Sequence, residues 1–113
     1  MAADCIFCRI ASGDAEARVV YETDDLMAFH DMNAQAPIHI LVIPRQHIAR
    51  VSAAEPGDAG VLGALLLAAG EIAEQENLDA FRLVTNNGAG AGQSVDHLHF
   101  HLLAGRNFSW PPG

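Results

Sequence analysis

The heptapeptide HLHFHLL, residues 97–103, decides the fold of this 113-residue chain and carries its chemistry. Its histidines, His97, His99 and His101, occupy every second position and alternate with apolar residues. Residues two apart in a β-strand share one face and lie about 6.5–7 Å from each other. The segment therefore predicts a strand that presents three imidazoles on one face and buries apolar side chains behind them.

Three imidazoles in strict alternation favour a functional site. Imidazole titrates near neutrality, so it can serve as a nucleophile, a proton donor or a metal ligand with little tuning. The alternative interpretation is an amphipathic strand whose polar face happens to use histidine.

Outward from this segment, the hydrophobic periodicity predicts an α+β fold: a five-stranded antiparallel meander sheet crossed by one long helix. Apolar residues at i, i+3, i+4 and i+7 predict that helix over residues 57–77, with Asp58 as its N-cap. A short helix is expected over residues 5–11, and residues 1–113 form one domain. The predicted strands cover residues 17–25, 26–33, 37–45, 80–87 and 95–105.

The composition narrows the possible partners. The net charge is −8 and all six basic residues are arginine, which argues against nucleic-acid binding and against docking on an anionic membrane. No apolar run approaches the roughly 18 residues of a membrane span and no signal-peptide pattern is visible, so we expect a cytoplasmic protein. Leu67 and Ala68 lie outside the main apolar stripe of the long helix, which predicts a homodimer.

A glycine-rich loop, GAGAGQS (residues 88–94), precedes the histidine segment. Its glycines permit close backbone approach, and amides near Gly92, Gln93 and Ser94 could cradle phosphate oxygens. The loop lacks the lysine of a P-loop, and a flexible hairpin connection is the alternative.

The pattern His-apolar-His-apolar-His-apolar-apolar resembles the histidine triad motif. Four further stretches are similar to the nucleotide-binding branch of the histidine triad family: DCIFCRI, AFHDMNAQAPIHILVIPRQHI, RLVTNNGAGAGQSVDHLHFHLLAGR and WPPG. This resemblance spans residues 4–113. It implies a dimer of α+β protomers that hydrolyses purine nucleoside phosphoramidates through a nucleotidyl-histidine intermediate, with no cofactor needed for catalysis.

The resemblance also assigns roles to residues. His99 would be the nucleophile, His101 would hydrogen bond to the phosphate and donate a proton, and His39 would lie in the supporting shell around them. Asp31 would hold the ribose hydroxyls, although alone it could be a turn residue. Ser94 is implied as a catalytic contact, phosphate or leaving-group contacts by Asn86, Gly92 and Gln93, and apolar walls around the purine by Ile6, Phe7, Ile10, Phe29 and Met32. His30 is interpreted as structural.

Cys5 and Cys8 admit three interpretations. A redox pair would normally follow a strand and open a helix, and four preceding residues leave no room for that strand. A structural zinc site needs two more ligands, and resemblance to zinc-bearing members of the superfamily supplies His47 and His97. Two buried thiols without metal are the remaining alternative.

Two other functions stay open at this point. One is a dinucleoside polyphosphate hydrolase or nucleotidyl transferase of the same superfamily. The other is a non-catalytic dimer that binds nucleotides or partner proteins.

Overall fold

Five strands and two helices make up the fold of residues 4–113, which are the residues that this computed structural model describes. Short 3₁₀ turns occupy residues 51–53, 56–58 and 89–91. The elements are α1 (Ile6–Ser12), β1 (Val19–Glu22), β2 (Leu26–His30), β3 (Ile38–Pro44), α2 (Ala59–Gln75), β4 (Arg82–Val84) and β5 (Phe100–Ala104).

The strands form one antiparallel sheet in the order β1-β2-β3-β5-β4. The five antiparallel strands are confirmed, but the strictly sequential order of a meander is wrong, because β5 lies between β3 and β4. The reason is burial: Leu102 and Ala104 of β5 are at most 1% exposed, so this strand takes a position with neighbours on both sides. The short strand β4, whose residues are all half-buried, is left at the edge.

The two faces of the sheet bury different cores. Ile40 lies opposite Leu102 in the β3–β5 ladder, and both pack on the side covered by α2. Leu41 lies opposite His101 and packs on the other side, where α1 contributes Phe7. Each fully buried aliphatic side chain stabilises the fold by on the order of 1.5–3 kcal/mol relative to leaving it exposed to water. The histidine face of β5 is therefore the face covered by α1.

Helix α2 confirms the predicted long helix to within two residues at each end. Asp58 does occupy the N-cap position, but its carboxylate accepts the Glu55 backbone N–H at 2.9 Å and makes no cap bond to the helix. By length and hydropathy, 1.3 on average, the stretch Pro56–Gln75 would pass as a membrane span. That is weak evidence, because the same stretch packs Leu65 and Ile72 into the core at 0% exposure.

The final strand is shorter than predicted. Residues 95–105 were expected to be extended, whereas β5 covers Phe100–Ala104 only, so His97 and His99 precede the paired strand. The Leu98 N–H donates to the Ile48 carbonyl at 2.6 Å instead of joining the ladder. The alternation nevertheless holds, because Leu98 is buried in the core beneath α2.

Candidate active site and metal centre

A cavity of about 480 Å³ lies on the α1 side of the sheet. This volume is within the usual range for small-molecule sites, roughly 300–1,000 Å³. Leu41 and His101 lie side by side on its floor, which continues along the register to Phe29 of β2. Nine residues implied by the resemblance line it: Ile6, Phe7, Ile10, Phe29, Asp31, Met32, Ser94, His99 and His101.

His99 is fixed in one tautomer. Its Nδ1 lies 2.6 Å from the carbonyl oxygen of His97, which can only accept, so Nδ1 carries the proton and donates it. The lone pair then sits on Nε2, which is the form a nucleophilic imidazole needs. The ring is only 4% exposed and stands edge-on to Phe7 with centroids 5.1 Å apart, yet it borders the cavity.

The tautomer of His101 follows from a chain of hydrogen bonds. The backbone N–H of Gln35 donates to Nδ1 of His39 at 3.0 Å, so the proton of a neutral His39 must sit on Nε2. That Nε2 lies 2.9 Å from Nδ1 of His101, which therefore accepts. His101 is left with its N–H on Nε2, and its ring lines the cavity as a hydrogen-bond donor.

Both rings of this pair are held neutral. Burial, followed by repulsion from the positive forms of His99 and His39, lowers the pKa of His101 to about 4, with Asp31 opposing the shift. Burial lowers the pKa of His39 too, and Asp31 again opposes it. A bound phosphate would act in the same direction as Asp31 and favour a proton on the pair.

Asp31 is both a turn residue and a cavity residue. Its Oδ1 accepts the Asn33 N–H at 2.8 Å, and its Oδ2 lies 3.3 Å from Nε2 of His39. The carboxylate thus lies beside the imidazole pair and lines the cavity.

The glycine-rich loop contributes less to the cavity lining than the resemblance implied. Ser94 lines the cavity, whereas Asn86, Gly92 and Gln93 lie outside its lining. The Gln93 side chain accepts the Gly88 N–H at 2.7 Å and donates to the carbonyls of Ala49 and Val95 at 2.8 and 3.0 Å. Its amide therefore holds the loop in shape, since these bonds use both of its polar atoms.

Sequence reasoning missed part of the lining. His30 was interpreted as structural but borders the cavity, and Met32 is 99% exposed at the rim, so it forms little of a wall. The signal for His30 was its place beside Asp31 at the end of β2. The other unpredicted lining residues are Glu16, Ala17, Arg18, Leu41 and Val95.

A second cluster brings Cys5, Cys8, His47 and His97 together, as the zinc prediction requires. Nδ1 of His97 lies 3.4 and 3.5 Å from the sulfurs of Cys5 and Cys8, and 3.2 Å from Nδ1 of His47. The Cys8 sulfur lies 3.2 Å from Nδ1 of His47. Ligands of tetrahedral zinc lie about 3.3–3.8 Å apart, given bonds of about 2.0–2.1 Å to nitrogen and 2.3 Å to sulfur.

The hydrogen bonds of His97 also fit metal ligation. Its Nε2 lies 2.8 Å from the Pro44 carbonyl and must donate to it, so the lone pair is on Nδ1, facing the cluster. Burial lowers the pKa of His97, which keeps the ring neutral as a ligand must be.

A third group, Asp31, His39 and His101, has three potential ligand atoms within 4.8 Å of one another but does not fit a metal. A metal on Nε2 of His39 would force the ring proton onto Nδ1, where it would meet the N–H of Gln35. This group is therefore a hydrogen-bonded imidazole pair beside a carboxylate.

Comparison with known proteins agrees with this architecture. A model of the HIT domain matches residues 12–108. An uncharacterized HIT-like protein of Synechocystis sp. is 53% identical over the full length of both chains. Among solved structures, a HIT family hydrolase from Legionella pneumophila superposes with a TM-score of 0.94 at 44% identity, covering 96% of this chain and 99% of that one. A histidine triad protein from Clostridium difficile gives 0.93 at 37% identity, with 96% of each chain covered.

Proposed function

The chain belongs to the HIT domain family, and on that premise we propose that it hydrolyses purine nucleoside phosphoramidates to the nucleoside monophosphate and an amine. One observation carries the proposal: the 2.6 Å contact from His99 Nδ1 to the His97 carbonyl leaves Nε2 as a lone-pair nucleophile in a ring that borders the cavity.

In the first step, Nε2 of His99 attacks the α-phosphorus. A phosphorus–nitrogen bond to His99 forms while the bond to the amine breaks. The Nδ1–H of His99 keeps donating to the His97 carbonyl, so the nucleophile loses no proton. The His39–His101 pair takes up a proton beside the substrate's negative charge and delivers it to the departing nitrogen from Nε2 of His101.

In the second step, water attacks the phosphorus of the nucleotidyl-histidine. The bond to His99 breaks, the monophosphate is released, and the imidazole pair accepts the proton that the water loses. Ser94 lines the cavity beside the triad and would hydrogen bond to a phosphoryl oxygen.

The nucleoside would extend along the sheet from the triad. Neighbouring strands lie about 4.8 Å apart, so the row from His101 across Leu41 to Phe29 spans roughly 10 Å. That length suits a nucleoside monophosphate with its phosphorus at His99. The base would then pack among Ile6, Ile10 and Phe29, with the ribose hydroxyls on Asp31.

The cluster of Cys5, Cys8, His47 and His97 would hold a structural zinc ion. Zinc supplies folding free energy in such sites and no reaction step uses it here. Elemental analysis of protein purified without added metal tests this, and a zinc content near zero would overturn it. Thiols placed for ligation suit a reducing compartment, so we keep the cytoplasm as the proposed location.

We propose that a second copy of the chain packs against the outer face of α2 to form a homodimer. Leu67 is 73% exposed on that face, but the expectation for Ala68 is wrong, because Ala68 is 1% exposed and packs in the core. Leu66, 56% exposed, lies on the outer face instead, and Gly63 and Gly70 flank the two leucines at helical spacing. Small residues beside large ones allow two helices to approach closely, and exposed apolar area of this kind is typical of an interface.

One assay distinguishes this function from its rivals. The protein is incubated with adenosine 5′-phosphoramidate and with a diadenosine polyphosphate, beside the His99→Ala variant, and the nucleotidyl-protein is sought by intact mass after rapid quenching. We expect turnover of the phosphoramidate, a labelled wild-type protein and no activity in the variant. Faster cleavage of the dinucleotide would favour the polyphosphate hydrolase, and nucleotide binding without turnover would favour the non-catalytic dimer.

A further inference from the structure

We propose that the cluster of Cys5, Cys8, His47 and His97, here called the thiol–imidazole cluster, positions the nucleophile, so that zinc bound there sets the catalytic rate as well as the stability. The inference rests on the proposed function, in which His99 is the nucleophile. It makes the three outer ligands positioning residues for a reaction that they do not touch.

His97 is the link between the two sites. Its Nδ1 belongs to the cluster, its Nε2 donates to the Pro44 carbonyl at 2.8 Å, and its own carbonyl accepts Nδ1–H of His99 at 2.6 Å. The ring is 0% exposed, so each edge of it is committed to a neighbour. Any rotation of this residue that follows loss of zinc would move the carbonyl that fixes the tautomer of His99.

The position of His97 in the fold makes its side-chain contacts important for the orientation of its backbone carbonyl. Residues 97–99 precede β5, so the strand ladder does not determine where the His97 carbonyl points. The segment is held by the Leu98 N–H bond to the Ile48 carbonyl, by the Thr85 hydroxyl, which donates to the His99 carbonyl at 2.8 Å, and by the side-chain contacts of His97. Zinc ligation would add a bond of fixed length and direction to a segment that lacks sheet pairing.

Helix α1 provides a second link from the cluster to the cavity. The Cys5 sulfur accepts the Cys8 N–H at 3.4 Å and caps the start of the helix. Between these two thiols lies Phe7, whose ring stands edge-on to His97 and His99 with centroids 5.9 and 5.1 Å away. The same turn also contributes Ile6 to the wall of the cavity. Zinc would therefore hold the apolar wall against the nucleophile.

A zinc ion with a purely structural role would have a different effect on the protein. It would lower the unfolding temperature when removed and leave the folded fraction fully active. Groups that orient a functional histidine typically change activity 10–100-fold when they are lost. We therefore expect a fall of that size in the rate of nucleotidyl-histidine formation in zinc-free protein that is still folded.

The test compares zinc-loaded and chelator-treated protein at a temperature well below the unfolding midpoint of both. The first readout is the ¹⁵N shift of the His99 ring nitrogens, which distinguishes protonated from unprotonated nitrogen. We expect a single tautomer with the proton on Nδ1 in the zinc form and a mixture in the zinc-free form. The second is the single-turnover rate with adenosine 5′-phosphoramidate, and the third is the affinity for AMP.

His47 offers the matched pair of variants, because it is the exposed ligand and does not line the cavity. His47→Ala removes a zinc ligand, whereas His47→Cys keeps four ligands in the cluster. We expect His47→Ala to reproduce the zinc-free spectrum and the slow turnover, and His47→Cys to restore both along with the zinc content.

Unchanged His99 shifts and equal single-turnover rates in the two forms, with only the unfolding temperature lowered, would overturn the inference, as would a failure of the protein to bind Zn²⁺. Absence of any nucleotidyl-protein in the zinc form is a separate result. It would refute the proposed function while the His99 spectrum and the AMP affinity still test the coupling.

Discussion

Acidification should destabilise the folded protein through His101. Its pKa is about 4 in the fold against 6.5 for an unperturbed histidine, so between these pH values the unfolded chain binds a proton that the folded chain resists. The contribution of His101 to the free energy of unfolding is therefore fully present above pH 6.5 and is lost as the pH falls from 6.5 to about 4. Linkage gives a loss of about 2 kcal/mol from this residue between pH 7 and pH 5, and about 3 kcal/mol once the pH is below 4. The lowered pKa of His39 adds to the loss in the same direction.

The measurement is the free energy of unfolding from urea titrations at pH 7 and pH 5, at one protein concentration. The comparison is His101→Asn, which keeps an amide beside Nε2–H of His39 and cannot titrate. We expect the variant's loss between the two pH values to be smaller than that of the wild type by about 2 kcal/mol, a large share of the usual 5–15 kcal/mol of a domain. Equal losses in the two proteins would show that His101 is protonated in the fold without cost, and the hydrogen-bond chain that we assign to it would be wrong.

Three further predictions test the fold, the interface and the nucleotide site. Gly105→Ala should lower the free energy of unfolding by about 1–3 kcal/mol in thermal melts, because φ is +94° there and a Cβ would lie 2.8 Å from Pro37. The control Gly60→Ala has open space around it and should be neutral or slightly stabilising in the same melts. Leu67→Glu should halve the mass seen by light scattering if a second copy covers α2, and an unchanged mass would rule that interface out. Asp31→Asn should weaken AMP binding about 10- to 150-fold by calorimetry, since it removes a charged hydrogen bond worth roughly 1.5–3 kcal/mol, but should leave the binding of a 2′,3′-dideoxy analogue unaffected. Equal weakening of both ligands would contradict the ribose contact.

Local patterns predicted the elements of this fold well. The period of two over HLHFHLL and the period of 3.6 in α2 are properties of neighbouring residues, and both survive in the structure. The thiol–imidazole cluster and the apolar wall of the cavity were expected from resemblance to a family, because such a resemblance indicates which distant residues lie close together and periodicity does not.

What escaped prediction depends on contacts between distant residues. The insertion of β5 beside β3 depends on the burial of Leu102 and Ala104 against the rest of the fold, and no pattern within residues 100–104 indicates which strands will pair with them. The hydrogen-bond chain from Gln35 through His39 to His101 could not be predicted, because it depends on the orientation of each ring. For Gln93 the resemblance implied a phosphate or leaving-group contact, whereas its side-chain amide bonds to three backbone groups, of Gly88, Ala49 and Val95.

The interior position of β5, between β3 and β4, makes the C-terminal third of the chain indispensable to the whole sheet. Without residues 100–104, β1 to β3 would remain a three-stranded piece whose last strand exposes an unpaired backbone edge beside Ile40 and Val42, and β4 would have no partner. Such an edge invites pairing with other chains. A protease that cut the chain in the loop between β4 and β5 and released β5 would convert the protein into an aggregation-prone remnant, because the strand it removed is also the one that closes the core.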